Sequence, residues 1–425
     1  MGRPLRLEKV IQAFSPDKAI EDPRQFAGRR EEIKSGIQAL LSPGSFLIIY
    51  GLRGVGKSSI ALQIAKIAEG DDTLPAMLKL EGLLPRKGFD FIVHYYRGDA
   101  FIRNIGDLLI RILFGDEANP SLFALTKSGE HRLEEIREIL QAKGGASMGI
   151  AVEAAGSKEK VYKTYISDDL IQQFRSILGM VRRDNQHKKG GILFIIDEFD
   201  VIPDKQGFAS IVKALSSEYV KFAVVGIGST VSELISDHLS IGRQVHPIYV
   251  DRMDEYELGE ILRKAEYLVG GRITFTDEAA EEIVNRSEGF PYFTHLLGRD
   301  SMRIAFEHSS PKVTLSDVQE SLKKLAEGRF GILYEEMYHE AVKNSQQREI
   351  LLKLFAEHPQ DEIPTEEIYA LAKEFGITNP SQLMKPLTSP TANRATPVLV
   401  KVRERYYRFS DPVFKVYAKL RDWKF

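Results

Sequence analysis

The stretch FLIIYGLRGVGKSSIALQIAKIA, residues Phe46–Ala68, constrains this chain more than any other, because it sets three glycines and a lysine inside an apolar run. Phe46–Tyr50 has the composition of a strand buried in a parallel sheet, and Ser58–Ala68 carries apolar residues at helical spacing with no proline. Between them, Gly51-Leu52-Arg53-Gly54-Val55-Gly56-Lys57-Ser58 fits G-x-x-x-x-G-K-[ST]. Gly51, Gly54 and Gly56 let backbone N–H groups turn inward without a Cβ in the way, and the helix that follows adds its positive N-terminal end. Such a loop, with Arg53, Val55 and Ser59 also along it, cradles a polyphosphate. Lys57 is placed to reach the β- and γ-phosphates, and the Ser58 hydroxyl to enter a Mg²⁺ shell. An ordinary glycine turn is the competing reading.

A second apolar strand, Gly191–Ile196, ends in Asp197-Glu198-Phe199-Asp200. Open parallel sheets bind ligands at the carboxyl ends of their strands, so both acids are expected to face the phosphate loop. In P-loop NTPases, which this pattern resembles, the first acid of such a pair holds Mg²⁺, usually through water, and the second polarises the attacking water, which gives those roles to Asp197 and Glu198; the alternative is a pair of solvated acids where a strand leaves its sheet. A third strand, Phe222–Gly228, ends at Ser229 and Thr230. Ser229 there either touches the γ-phosphate or the water, or belongs with Thr230 to the cap of a helix over 231–237.

Composition removes several classes of function. The chain has no cysteine, which excludes disulfides, thiol catalysis and cysteine-ligated zinc. Hydrophobic residues make up 43% and the net charge is −2, so a large core is available and any nucleic-acid surface must be local. No stretch approaches the apolar length of a membrane span, and the N-terminus lacks a signal-peptide core, so a cytoplasmic protein with no membrane partner is expected.

The 425 residues divide, as read here, into an N-terminal linker (1–25), an α/β ATPase core (26–252), a helical lid (253–343) and a C-terminal domain (344–425). In the core, a helix follows Gly28, Phe89–Tyr96 is a strand, and Asp99 caps the next helix. An insertion at about 130–165 holds a helix and a glycine-rich hairpin over 144–156, after which Ser167 opens a helix with Asp168 and Asp169 in its first turn. From Asp254 to about Gly328 the pattern is wholly helical, with starts at Thr276 or Asp277, at Gly289-Phe290-Pro291 and at Thr314. Beyond Asn344 come three helical stretches and two strands around Glu404, the order of a winged helix. Lys385, Arg394, Lys401, Arg403, Arg405, Arg408, Lys415, Lys419, Arg421 and Lys424 make this end basic. That charge suits a phosphate backbone, or else pairs with acids of the rest of the chain.

Phosphate loop, Asp-Glu strand, polar strand end and helical domain together resemble an AAA+ P-loop ATPase, with its Walker A and Walker B motifs, over nearly the whole chain. The likeness is to the branch of origin-recognition initiators and STAND signalling ATPases. It implies a P-loop NTPase parallel sheet with helices on both faces, an all-helical lid and a winged helix, with ATP and Mg²⁺ as cofactors. In that branch a segment like F-x-G-R-x-x-E flanks the adenine; here Phe26-Ala27-Gly28-Arg29-Arg30-Glu31 occupies its place. Gly289-Phe290-Pro291 resembles the STAND G-x-P element and brings Pro291 to the nucleotide, where initiators more often carry a sensor arginine, for which Arg299 is a weak substitute. The resemblance also implies an arginine finger given to a neighbouring subunit, with Arg243 the candidate and Arg252 its competitor, since a guanidinium spreads charge over two phosphate oxygens.

Two functions follow. One is an ATP-driven switch that binds double-stranded DNA through the winged helix. The other is a STAND-like regulator whose winged helix serves self-association, a protein partner or autoinhibition. A small-metabolite kinase needs neither lid nor winged helix.

Overall fold

The computed structural model describes residues 5–116, 118–126, 170–184, 190–235, 242–326, 332–390 and 397–421. The insertion expected at 130–165, its hairpin, the helix start at Ser167–Asp169, and Arg394 and Lys424 lie outside the described residues. The chain forms two units: one of Arg29–Gly51 and Lys57–Val250, the other of Met1–Gly28, Leu52–Gly56 and Asp251–Phe425.

Among its described residues the first unit is built on five strands, β1 (Phe46–Gly51), β2 (Phe91–Arg97), β3 (Gly191–Asp197), β4 (Val220–Ile227) and β5 (Val245–Val250), in the order β2-β3-β4-β1-β5. Every neighbouring pair is parallel. β3 is buried at all its positions, as an interior strand must be, whereas β5 exposes Pro247, which lacks the N–H that a central strand needs. Phe46, Ile48, Phe194, Ile196, Phe222 and Val224 share one core with helices Ile105–Phe114, Leu170–Asp184 and Phe208–Leu215. The residues between them, such as Leu47, Ile49, Leu193 and Val225, are just as buried and face the opposite way. Helices Arg30–Leu41 and Lys57–Glu69 pack against the strands there and against each other, so closely that a Cβ on Gly36 would lie 2.5 Å from Ile64. This is the α/β fold of a phosphate-loop NTPase, with helices on both faces of the sheet.

Local chemistry moves several boundaries. The helix expected from Asp99 starts instead after Asn104, whose side chain accepts the Asp107 N–H. Asp99 closes its own turn, accepting from the N–H groups of Phe101 (2.9 Å) and Ile102 (3.2 Å), and pairs with Arg111. β5 begins at Val245, which packs half-buried against the sheet's core.

In the second unit, residues ahead of Phe26 include the helix Leu7–Gln12, with Val10 and Phe14 buried. Phe14 meets Phe275 and His295 edge-on, and Asp17 pairs with Arg299 at 2.6 Å. Helices Glu255–Leu268, Asp277–Ser287, Pro291–Glu307 and Leu315–Ala326 follow. Asp254 and Glu257 close a capping box on the first, Thr276 caps the second through the Ala279 N–H, and Pro291 opens the third. The stretch expected to be wholly helical also contains a short parallel pair, β6 (Thr274–Phe275) with β7 (Lys312–Val313). Beyond it, helices Gln346–Glu357, Thr365–Glu374 and Pro380–Thr388 accompany a sheet ordered β8 (Ile363–Pro364), β10 (Tyr406–Phe409), β9 (Leu399–Arg403), and the helix Pro412–Leu420 ends the described chain.

Candidate nucleotide site

The sheet order sets β4 between β1, which runs into the glycine loop, and β3, which ends in the acidic pair. All three strands are parallel, so Gly51, Asp197 and Ser229 lie toward the same edge. Gly51 has φ of 152°, Gly54 of 81° and Gly56 of 97°, a run of backbone that side chains disfavour. At Gly51 the reason is also steric, since a Cβ would sit 2.2 Å from the Val250 carbonyl oxygen. Lys57 is buried and begins its helix, with Ser58 and Ser59 half-buried in the first turn.

Asp197 is 3% exposed while Glu198, beside it, is open to solvent. The carboxylate of Asp197 is held from two sides: Oδ1 accepts the Glu198 N–H at 2.8 Å and Oδ2 accepts the Tyr95 hydroxyl at 2.7 Å. Burial and the adjacent Asp197 push the Tyr95 phenol far above its ordinary pKa, so it stays a proton donor. Glu198 has φ of 54°, a left-handed conformation that costs a non-glycine residue. The end of β2 braces this turn. Gly98 donates its N–H to the Asp197 carbonyl at 2.7 Å, and a Cβ on Gly98 would approach the Glu198 carbonyl oxygen to 2.4 Å.

Asp200 ties the same turn to β4 by accepting the Ile227 N–H at 2.9 Å. Ser229 donates its N–H to Glu233 at 2.8 Å, and Thr230 stands at the N-cap of the helix Val231–Leu234 without a side-chain cap bond. Arg243, just ahead of β5, is exposed.

The tip of the loop, Leu52–Gly56, belongs to the second unit. Arg53 lies 3.5 Å from Asp411, and a Cβ on Gly54 would come within 2.6 Å of Val413 and 3.7 Å of Phe290. Pro291 is the neighbour nearest Gly56, 4.0 Å from the place of a Cβ. Asp411 caps the helix Pro412–Leu420 through the Val413 N–H, and the Tyr334 hydroxyl lies 3.5 Å away. Burial raises the pKa of Asp411, an effect that Arg53 partly offsets. Phe26 is fully buried; Gly28 takes φ of 59° and donates its N–H to Glu260 at 3.0 Å, and in the first unit Arg29 pairs with Glu32. Arg252 holds Asp361 at 2.8 Å and lies 4.8 Å over the Phe290 ring, and Arg299 holds Asp17, so both guanidiniums have partners within their own unit.

The residues fit a magnesium–nucleotide. The glycines take positive φ, which suits a loop that turns backbone N–H groups inward, and Ser58 and Asp197 offer one hydroxyl and one carboxylate to a metal. A single hydroxyl with a single carboxylate suits a cation that brings water and phosphate oxygens with it. Sequence reasoning missed Tyr95, Asp200 and Asp411. Asp200 had a signal in the Asp-Glu-Phe-Asp run; Tyr95 and Asp411 had none, because their partners are distant in the chain.

No protein-family model matches the sequence, and no curated protein does. Among solved structures it is similar to the ORC2 protein of Aeropyrum pernix, at 15% identity over 96% of each chain with a TM-score of 0.46. It is also similar to a Walker-type ATPase of Pyrococcus abyssi, at 15% identity over 95% of this chain and 99% of that one with a TM-score of 0.47. The RuvB Holliday junction branch migration motor of Thermotoga maritima aligns at 14% identity over 92% and 94%, with a TM-score of 0.42. These likenesses are distant, and the phosphate-loop fold rests on the strand order and the loop. Among the described residues no helix is long and apolar enough to cross a membrane.

Proposed function

We propose that this chain is an ATP-hydrolysing switch of the AAA+ type whose winged helix responds to the state of the phosphate loop. The observation that carries the reading is the glycine loop in positive φ ahead of buried Lys57, with a buried and an exposed acid at the end of β3. Backbone N–H groups of Gly51–Gly56, with Arg53 and Val55, cradle the phosphates, and Lys57 carries charge to the β- and γ-oxygens. Ser58 and Asp197 are the metal contacts, and a bound Mg²⁺ would neutralise charge on the phosphates. Glu198, exposed at the end of the strand, takes the proton of the attacking water, with Ser229 near the γ-phosphate. Phe26, Gly28, Arg29, Ser59 and Pro291 are assigned to nucleotide binding, and Arg243 to a second subunit's nucleotide. Arg252 is the weaker finger, because Asp361 already holds it.

Coupling to the winged helix has its own support. Arg53 of the loop pairs with Asp411, and Val413 packs on Gly54, both at the start of the Pro412–Leu420 helix. A phosphate entering the loop competes for Arg53. Asp411→Asn keeps a good helix cap but removes the charge that competes for Arg53, so ADP release should slow about 2- to 5-fold, the worth of a half-exposed ion pair. Stopped-flow chase of a fluorescent ADP reads this; an unchanged rate would place the coupling elsewhere.

The basic tail divides into two groups. Lys415, Lys419 and Arg421 pair with Asp361, Glu288 and Glu335, which favours a winged helix held by its own chain, as a STAND-like regulator needs. The wing favours duplex DNA: Lys401 and Arg405 are exposed, and Arg403 shares itself between Glu362 and the Tyr406 ring. If DNA binds there, replacing Lys401, Arg403 and Arg405 with alanine should weaken every duplex alike and reduce the slope of log affinity against log salt by about 2 to 3. Absence of wild-type binding to duplex at low salt, with ATP or ADP, would leave the regulator.

A further inference from the structure

We infer that Tyr95 is a positioning residue for the metal-contacting carboxylate, an assignment that rests on the phosphate-loop reading above. Asp197 is buried at the end of β3, where a free carboxylate would have two rotamers and an open choice of which oxygen to present. Its main-chain neighbour settles only one oxygen, through the Glu198 N–H. The other is taken at 2.7 Å by the Tyr95 hydroxyl, which reaches over from the adjacent strand. A carboxylate has about four lone-pair sites, so one donor on each oxygen leaves the remaining two in a set plane, free to accept from water around a cation. Donation by the phenol also draws charge from the carboxylate, which favours contact through water over direct ligation.

Tyr95 is itself held in place by a device that a packed aromatic does not need. Among the described residues β2 is an edge strand, and on the side away from β3 Asn119 pairs with the main chain of Tyr95 in both senses, Oδ1 accepting the N–H at 2.9 Å and Nδ2 donating to the carbonyl at 3.0 Å. Asn119 is 5% exposed and is fixed in turn by Asp116, which accepts from its N–H and its Nδ2. The amide thus pairs with the backbone as a neighbouring strand would at this one residue, and the chain Asn119, Tyr95, Asp197 runs from this side of β2 to the candidate metal contact.

The test measures the Mg²⁺ concentration that half-saturates the enhancement of fluorescent-ADP affinity, in the full chain. Tyr95→Phe should raise it about 10-fold, the lower end for removing a group that orients a metal-contacting carboxylate. ADP affinity without divalent cation should stay within about twofold, since no phosphate contact is lost. In an Asp197→Asn background the same substitution should add nothing, because the two residues act through one contact. An unchanged Mg²⁺ requirement, or an equal effect with and without the Asp197 carboxylate, would make Tyr95 a packing residue only. Should Tyr95→Phe fail to fold, Asn119→Ala is expected to raise the Mg²⁺ requirement in the same direction, and no rise would overturn the assignment. A wild-type chain whose ADP binding ignores Mg²⁺ would instead remove the phosphate-loop reading itself.

Discussion

Lys57→Ala is expected to lose ATP hydrolysis by about 100- to 1,000-fold and to bind nucleotide more weakly, as follows from deleting a positioned cation where transition-state charge collects. Lys57 is 8% exposed and stands in the first turn of the helix after the loop, so water has poor access to replace the lost ammonium. The helix should survive, because alanine is its best former and Ile60, Ala61 and Ile64 still bury the same face. Phosphate release and a thermal melt, taken together, separate loss of chemistry from loss of fold. Turnover at the wild-type rate in a folded variant would detach hydrolysis from this loop.

Glu198→Gln should behave differently: Mg·ATP binding kept, cleavage slowed by about 100- to 10,000-fold, the usual worth of a general base. The structure separates the two acids by environment. Asp197 is buried with one donor on each oxygen, an orientation suited to a fixed cation, whereas the exposed Glu198 has room for a water and a proton to leave. Glutamine has the same shape and meets the same left-handed backbone at 54°, so the turn should not relax. The matching Asp197→Asn change is expected to act on Mg²⁺ dependence instead, and an exchange of the two phenotypes would reverse the assigned roles.

The parts of this site that could be read from the sequence are those whose cause is local. A fully apolar strand, three glycines, a lysine and a helix with no proline announce themselves within 23 consecutive residues, and Asp197-Glu198 stands at the end of a strand that is apolar throughout. Boundaries failed where a side chain had two uses: Asp99 looks like a cap but serves its own turn, and Asn104 caps the helix. Tyr95 could not be picked out from His94-Tyr95-Tyr96, because alternation predicts which way a strand residue points but not what lies 102 positions away. The same holds for Asp411, which caps the last helix and also faces Arg53, a residue far away in the chain. The tail's charge was legible as a sum, but not as a division between paired residues on the last helix and exposed ones on the wing.

Single-turnover cleavage of ATP, with protein in excess, tests the central claim most directly. The wild-type chain should convert bound ATP to ADP and phosphate only when Mg²⁺ is present, while Glu198→Gln retains the same ATP uncleaved. Equal cleavage by both proteins, or ATP retained by neither, would contradict the account.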